Sequence, residues 1–253
     1  MWAAVKLTVL GTCAAYPGPG RAATGYLVRH DGFNLVVDLG NGALANLQRE
    51  IAFTEVDGIL VSHSHPDHCV DLYALFIARM FHTERLPALP LFTAQGVFDR
   101  FSKLGNETDE MRRSFAVREL EPGESFDMGP FRIETRPMTH GVPALGYRLQ
   151  ADGRTLAYTG DTGPTEEILP LGHEADLLVS EASWIDGQEV GRDPFHLTAR
   201  QAAEHASRAE VRSLMLSHLW PTNDRRVCRD QASERFDGEL ALGDEGMTVE
   251  VGA

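Results

Sequence analysis

The sequence predicts an α/β fold built as a sandwich: two β-rich halves packed face to face, with helices outside. Three observations carry this. Short runs rich in Val, Ile, Leu, Phe and Tyr come in two batches, each followed by helical segments. Asp31-Gly32 and Asp152-Gly153 each stand between two such runs, and Asp-Gly favours a tight hairpin. The 253 residues contain no repeat, low-complexity tract or long linker, so 1–253 is read as one domain. A chain of this length buries about 75% of the surface its unfolded form exposes.

Strands are expected at 5–10, 25–30, 33–38, 57–62, 89–93, 115–120, 130–137, 145–150, 154–159, 176–181 and 212–217. The first rests on Leu7-Thr8-Val9-Leu10. No basic stretch followed by a long apolar run precedes it, so it reads as a strand and not as a signal peptide. Helices are expected at 41–50, 68–82, 95–104, 164–170, 197–208 and 223–235. In the second, Val70, Leu72, Tyr73, Leu75, Phe76, Ile77, Met80 and Phe81 cover most of the circumference, which predicts a buried helix.

Composition narrows the function. Apolar residues are 43% and charged residues 24%, ordinary for a globular protein. No apolar run reaches the roughly 18 residues of a membrane span. The charge sum, 23 − 37 = −14, disfavours broad binding to a phosphate backbone. A local cation can still reverse the field for a small anionic substrate. Cys13, Cys69 and Cys228 are far apart, with no Cys-x-x-Cys pair, and read as free thiols in a reducing cytoplasm.

Ser62-His63-Ser64-His65-Pro66-Asp67-His68 is the most informative stretch. It joins the apolar run Ile59-Leu60-Val61 to the long helix. His63 and His65 are two apart, so in an extended segment they point the same way. Pro66 ends the strand and fixes the backbone for helix entry. Asp67 and His68 start the helix, so one turn can feed two metal positions. Imidazole plus carboxylate suits zinc, with manganese or iron as alternatives. Further ligands must come from other strand ends, and His140, Asp161 and His218 each follow an apolar strand. His30, His82, His173 and His205 lie on polar segments and read as surface residues.

This order of ligands, His-x-His-x-Asp-His followed by a strand-end His, Asp and His, resembles the metallo-β-lactamase superfamily. Further stretches resemble its ribonuclease Z-like branch: Val9-Leu10-Gly11-Thr12, Val37-Asp38-Leu39-Gly40-Asn41-Gly42, Tyr158-Thr159-Gly160-Asp161-Thr162, Glu181-Ala182-Ser183 and Phe195-His196-Leu197-Thr198. The resemblance implies an αβ/βα four-layer sandwich of two mixed β-sheets with helices on the outer faces and metals along one edge. It implies two divalent ions, one held by His63, His65 and His140, the other by Asp67, His68 and His218, with Asp161 bridging. A hydroxide shared by two such ions would attack phosphorus in line, and Asp67 is expected to orient it. Asp38 is either a plain turn aspartate or the acceptor for a ligating histidine's free N–H.

Bacterial ribonuclease Z carries a long tRNA-gripping arm between the equivalents of His140 and Asp161. Here those residues are 21 apart, and one hairpin fills the interval. The chain therefore most resembles the branch's small armless phosphodiesterases, similar to class II cyclic-nucleotide phosphodiesterases. Small phosphodiesters, 3′,5′-cyclic AMP foremost, are the expected substrates. The alternatives are a ribonuclease Z-like RNA-processing nuclease, a glyoxalase II-like thioesterase, a β-lactamase and a non-catalytic metal-binding scaffold. His196, just before a helix that Thr198 would cap, is expected to contact the phosphoryl or leaving oxygen, with Glu181 orienting its ring. A cytoplasmic homodimer is expected from the resemblance and the apolar helix 68–82; the other reading of that helix is an ordinary buried one in a monomer.

Overall fold

A computed structural model describes residues 4–106, 108–189, 191–192 and 194–253. The first half opens with β1 (Lys6–Gly11), β2 (Gly25–His30) and β3 (Phe33–Leu39), an antiparallel meander. Then α1 (Ala43–Glu50), β4 (Gly58–Val61), α2 (Pro66–Cys69), α3 (Asp71–Met80), β5 (Leu89–Thr93), α4 (Val97–Phe101), α5 (Thr108–Ser114) and β6 (Phe115–Glu119) follow. From β3 to β6 the neighbouring strands pair in parallel. The second half repeats the plan. An antiparallel run of β7 (Ser125–Met128), β8 (Phe131–Pro137), β9 (Leu145–Ala151) and β10 (Arg154–Tyr158) leads to α6 (Ile168–Gly172), β11 (Leu177–Glu181), α7 (Ala199–Arg208), β12 (Ser213–Ser217), α8 (Arg225–Ser233) and β13 (Glu239–Leu242). From β10 to β13 pairing is again parallel. Finally β14 (Thr248–Glu250) returns to pair with β1.

The result is two mixed seven-stranded sheets, ordered β14-β1-β2-β3-β4-β5-β6 and β13-β12-β11-β10-β9-β8-β7. Strand alternation explains how they pack. Leu156, Tyr158, Leu177, Val179 and Met215 of the second sheet point inward, to a core shared with Leu27, Val36 and Leu60 of the first. Their neighbours Ala157, Leu178, Leu214 and Leu216 point outward, under α6, α7 and α8. Helix α7 meets that face with Ala199, Ala202, Ala203 and Ala206, small residues at helical spacing that allow close approach. Its start is closed by a capping box: Thr198 Oγ1 accepts from the Gln201 amide at 3.2 Å, and Gln201 Oε1 accepts from the Thr198 amide at 2.9 Å.

Three tyrosines tie the sheets together across the core. Tyr147 Oη donates to the Val61 carbonyl at 2.8 Å, Tyr158 Oη donates to Asp38 Oδ2 at 2.6 Å, and the Tyr26 and Ser217 hydroxyls bond to each other. All are at the site end of the strands.

Several expectations are corrected. The helix expected at 68–82 starts at Pro66 and runs as α2 and α3, joined at Val70, whose backbone is itself helical. It is buried along one side only: Leu72, Leu75 and Phe76 are covered, whereas Phe81 is 76% exposed. Strands β7, β13 and β14 and helix α5 were not expected. The segment expected as helix 164–170 forms α6 four residues later. His30 and His205 are not surface residues. His30 is buried and its Nε2 lies 3.1 Å from Asp152 Oδ2, linking the two Asp-Gly hairpins; His205 is buried with Nδ1 on the Gln201 carbonyl. The three cysteines are free and buried. Among the described residues no helix is long and apolar enough to cross a membrane.

Candidate metal centre

Five of the seven residues expected to bind metal lie in turns after strands, and the other two, Asp67 and His68, sit in helix α2. Asp38 closes β3, His63 and His65 follow β4, His140 follows β8, Asp161 follows β10, and His218 follows β12. In an open α/β sheet, the carboxyl ends of parallel strands are where ligands bind. The backbone at these ends is unusual. Asp38 and His218 have positive φ (56° and 51°), as does Gly160 (60°). A Cβ on Gly160 would sit 2.9 Å from the Ser62 Cβ, so only glycine lets the Asp161 turn approach the histidine turn. Gly40 is under a sharper constraint, since a Cβ there would fall 1.9 Å from the Asp67 carbonyl oxygen.

Besides the trio Glu181, His196 and His218, two four-residue groups of ligand atoms form, each within 4.8 Å: His63, His65, His140 and Asp161, and Asp67, His68, Asp161 and His218. Asp161 belongs to both. In the first group His63 Nε2 lies 3.1 Å from His65 Nδ1, which lies 3.0 Å from His140 Nε2. The nitrogens of a tetrahedral zinc site, each at about 2.0–2.1 Å from the ion, are separated by about 3.3 Å. In the second group His218 Nε2 is 3.2 Å from Asp67 Oδ2 and 3.4 Å from Asp161 Oδ2, and His68 Nε2 is 3.1 Å from Asp161 Oδ1. His68 Nε2 and Asp161 Oδ1 are both fully buried and make no hydrogen bond. Buried polar atoms are normally satisfied. A ring nitrogen and a carboxylate oxygen buried side by side without a hydrogen bond fit a shared cation.

The charge pattern agrees with a cation site. Burial pushes the His63, His65 and His140 pKa values down, and the neighbouring imidazoles push the same way, so these rings are neutral, as ligation requires. Burial works against ionising Asp161, yet His218, His68 and His63 hold it well below the usual carboxylate range. Asp67 is likewise held low against its burial, by His68 and His218. Burial also opposes a charge on His68, but Asp161, Asp38 and Asp67 raise it well above the ordinary imidazole value. The second group is thus a pocket of carboxylates that favours a positive charge.

The outer partners hold each ring in place. Asp38 accepts four bonds: from the Ser62 amide (2.7 Å), Ser62 Oγ (2.7 Å), Tyr158 Oη (2.6 Å) and His68 Nδ1 (2.8 Å). Of its two readings, the acceptor for a histidine N–H is the one the geometry matches. His140 Nδ1 donates to the Phe195 carbonyl at 3.0 Å. His218 Nδ1 lies 2.9 Å from Ser183 Oγ, and Asp67 Oδ2 accepts from the Ala15 amide at 2.8 Å. Ser62, Ser183, Tyr158 and these two backbone groups were not assigned roles from the sequence. The signal that marks them is a small hydroxyl or aromatic at the same strand ends as the ligands.

His196 and Glu181 meet as expected. Nδ1 of His196 is 3.0 and 3.2 Å from the two Glu181 oxygens, which also accept from the amides of Thr162 and Leu197. The His196 ring is stacked on His218 (centroids 5.6 Å apart, 19° between planes) and lies 5.2 Å from His140. It therefore borders both groups. Burial would lower its pKa, but the Glu181 carboxylate raises it to about 9. Its Nε2 is not engaged by any described residue.

A fold and a site of this kind define a class. Residues 33–219 match the model of the beta-lactamase superfamily domain, and the chain belongs to that family, with its sandwich fold and with His and Asp clusters able to hold metal. Among its relatives are an uncharacterized protein of Mycobacterium leprae, 34% identical over 98% of this chain and 89% of the relative, and the protein named Probable metallo-hydrolase YhfI of Bacillus subtilis, 27% identical over 97% of this chain and all of the relative. The crystal structure of YhfI superposes with a TM-score of 0.88, covering 97% of this chain and 99% of YhfI. A ribonuclease Z of Haloarcula marismortui is 27% identical, covering 96% of each chain, but its alignment runs over 301 positions, more than the 253 residues here.

Proposed function

We propose that this protein is a dinuclear metal-dependent phosphodiesterase of small substrates, with 3′,5′-cyclic nucleotides foremost. The observation that carries it is Asp161, whose carboxylate belongs to two ligand groups at once, beside an ionisable His196. A pair of divalent ions, zinc foremost, would supply Lewis acidity and an activated water. His63, His65 and His140 would hold one ion, Asp67, His68 and His218 the other, and Asp161 both. The protein groups account for the rest. Asp38, Ser183 and the Phe195 carbonyl fix the histidine rings. Asp67, held ionised and pinned by the Ala15 amide, would orient the attacking water. His196, kept protonated by Glu181, donates to the departing alkoxide. An alkoxide needs that proton far more than a thiolate does, which favours a phosphodiester over a thioester.

Substrate size follows from what separates His140 from Asp161. The hairpin β9–β10 takes up that interval, and the net charge of −14 opposes a long polyanion. The test is a panel on metal-loaded protein: bis-p-nitrophenyl phosphate, 3′,5′-cyclic AMP, 2′,3′-cyclic AMP and a precursor tRNA. Turnover of the first two, with 5′-AMP as product of the second, is expected. Efficient tRNA maturation at physiological salt would instead make it a ribonuclease, and metal uptake with no turnover would make it a scaffold.

A further inference from the structure

Beside the cluster stands a row of aromatic rings. Tyr16 lies 5.5 Å from Trp220 (49° between planes), Trp220 lies 5.4 Å from Trp184, and Trp184 lies 6.0 Å from His196. Each is tied to the metal centre through the backbone. Tyr16 follows Ala15, whose amide holds Asp67; Trp220 is two residues after His218; Trp184 follows Ser183, whose hydroxyl touches His218 and His196. Trp184 is buried, with the Arg192 guanidinium 4.5 Å from its ring centre, and packs against Trp220. Tyr16 is 45% exposed and Trp220 half-buried, so these two present ring surface to solvent. The indole N–H of Trp220 is buried without a hydrogen-bond partner among the described residues.

We infer that Tyr16 and Trp220 form a stacking platform for the flat base of a nucleotide whose phosphodiester lies over Asp161. The inference deepens the phosphodiesterase reading and rests on it. Every base has a π-face, so such a platform tolerates different bases while rejecting diesters that lack one. An acidic protein gains little long-range attraction for an anionic ligand. Stacking supplies affinity that its charge does not. Arg192 over Trp184 adds a cation beside the row.

The test compares two monophosphates that differ only in the base. Binding of 5′-AMP and of ribose 5-phosphate to the metal-loaded protein is measured by calorimetry, for the wild type and for Tyr16→Ala, Trp220→Ala and Trp220→Phe. Stacking on an aromatic is worth roughly 5–150-fold per base, so the wild type should prefer 5′-AMP by about tenfold or more. Both alanine variants should lose most of that preference, and Trp220→Phe should keep it. A wild-type ratio near one would overturn the platform, as would a preference undiminished in both alanine variants. The two readings fail separately. Diester turnover without base preference removes the platform and leaves the phosphodiesterase; base preference without diester turnover does the reverse.

Discussion

His68 donates Nδ1–H to Asp38 Oδ2 at 2.8 Å, and this single bond turns its Nε2 toward Asp161. A carboxylate can only accept, so the bond sets which ring nitrogen is free. Asp38→Asn should weaken metal binding by about 10–100-fold, the usual effect of losing such a partner. Competition with a fluorescent chelator measures it. Tyr158→Phe removes one of the other donors to Asp38 and the hydroxyl that crosses the sheets. It should lower stability in urea by about 1.5–3 kcal/mol, the range for a bond to a charged group, with metal content retained.

His196→Ala should keep both metals and the fold, because the ring belongs to neither four-residue ligand group, only to the trio it forms with Glu181 and His218. It should reduce kcat on 3′,5′-cyclic AMP by roughly 10²–10⁴, the span of general acid–base help. Hydrolysis of bis-p-nitrophenyl phosphate should suffer less, since p-nitrophenolate leaves without a proton. Equal losses on both would leave His196 an electrostatic role only.

The ionisation of His196 has a definite sign. Burial favours the neutral ring, the Glu181 carboxylate favours the charged one, and the carboxylate wins, with a midpoint at about 9 in the metal-free chain. Glu181→Gln keeps the burial and removes the opposing charge, so the midpoint should fall below the ordinary imidazole value of about 6.5. Ring-carbon chemical shifts followed by NMR between pH 5 and 10 would show it. Metal loading adds positive charge nearby, so the alkaline limb of cyclic-nucleotide hydrolysis should lie at or below about 9, and lower still in the variant. A midpoint unmoved by Glu181→Gln would dissociate the pair.

Much of this centre was legible in the residues, for a physical reason. Of seven ligand-type side chains, five stand in turns after apolar strands and two, Asp67 and His68, in the helix that follows one, and such strands are what period-two patterning detects best. The Asp-Gly pairs placed the hairpins β2–β3 and β9–β10 for the same kind of local reason. What escaped has little local signal. Strands β13 and β14 are short, partly exposed edge strands held by pairing with β12 and β1. Helix α5 buries only Met111, so it shows no apolar stripe. Burial of His30 comes from Asp152 more than a hundred residues away, and burial of His205 from packing of α7. His196 and Glu181 were found through resemblance; their 3.0 Å contact joins β11 to the turn before α7 and has no periodic signature.

The central claim is that one carboxylate, Asp161, serves two metal ions. Elemental analysis of the purified, zinc- or manganese-loaded protein tests it most directly, run side by side on wild type and Asp161→Ala, with circular dichroism to confirm that both are folded. The account predicts about two metal equivalents per wild-type chain and loss or strong weakening of both in the variant. At most one equivalent in the wild type, or two undiminished equivalents in Asp161→Ala, would contradict it.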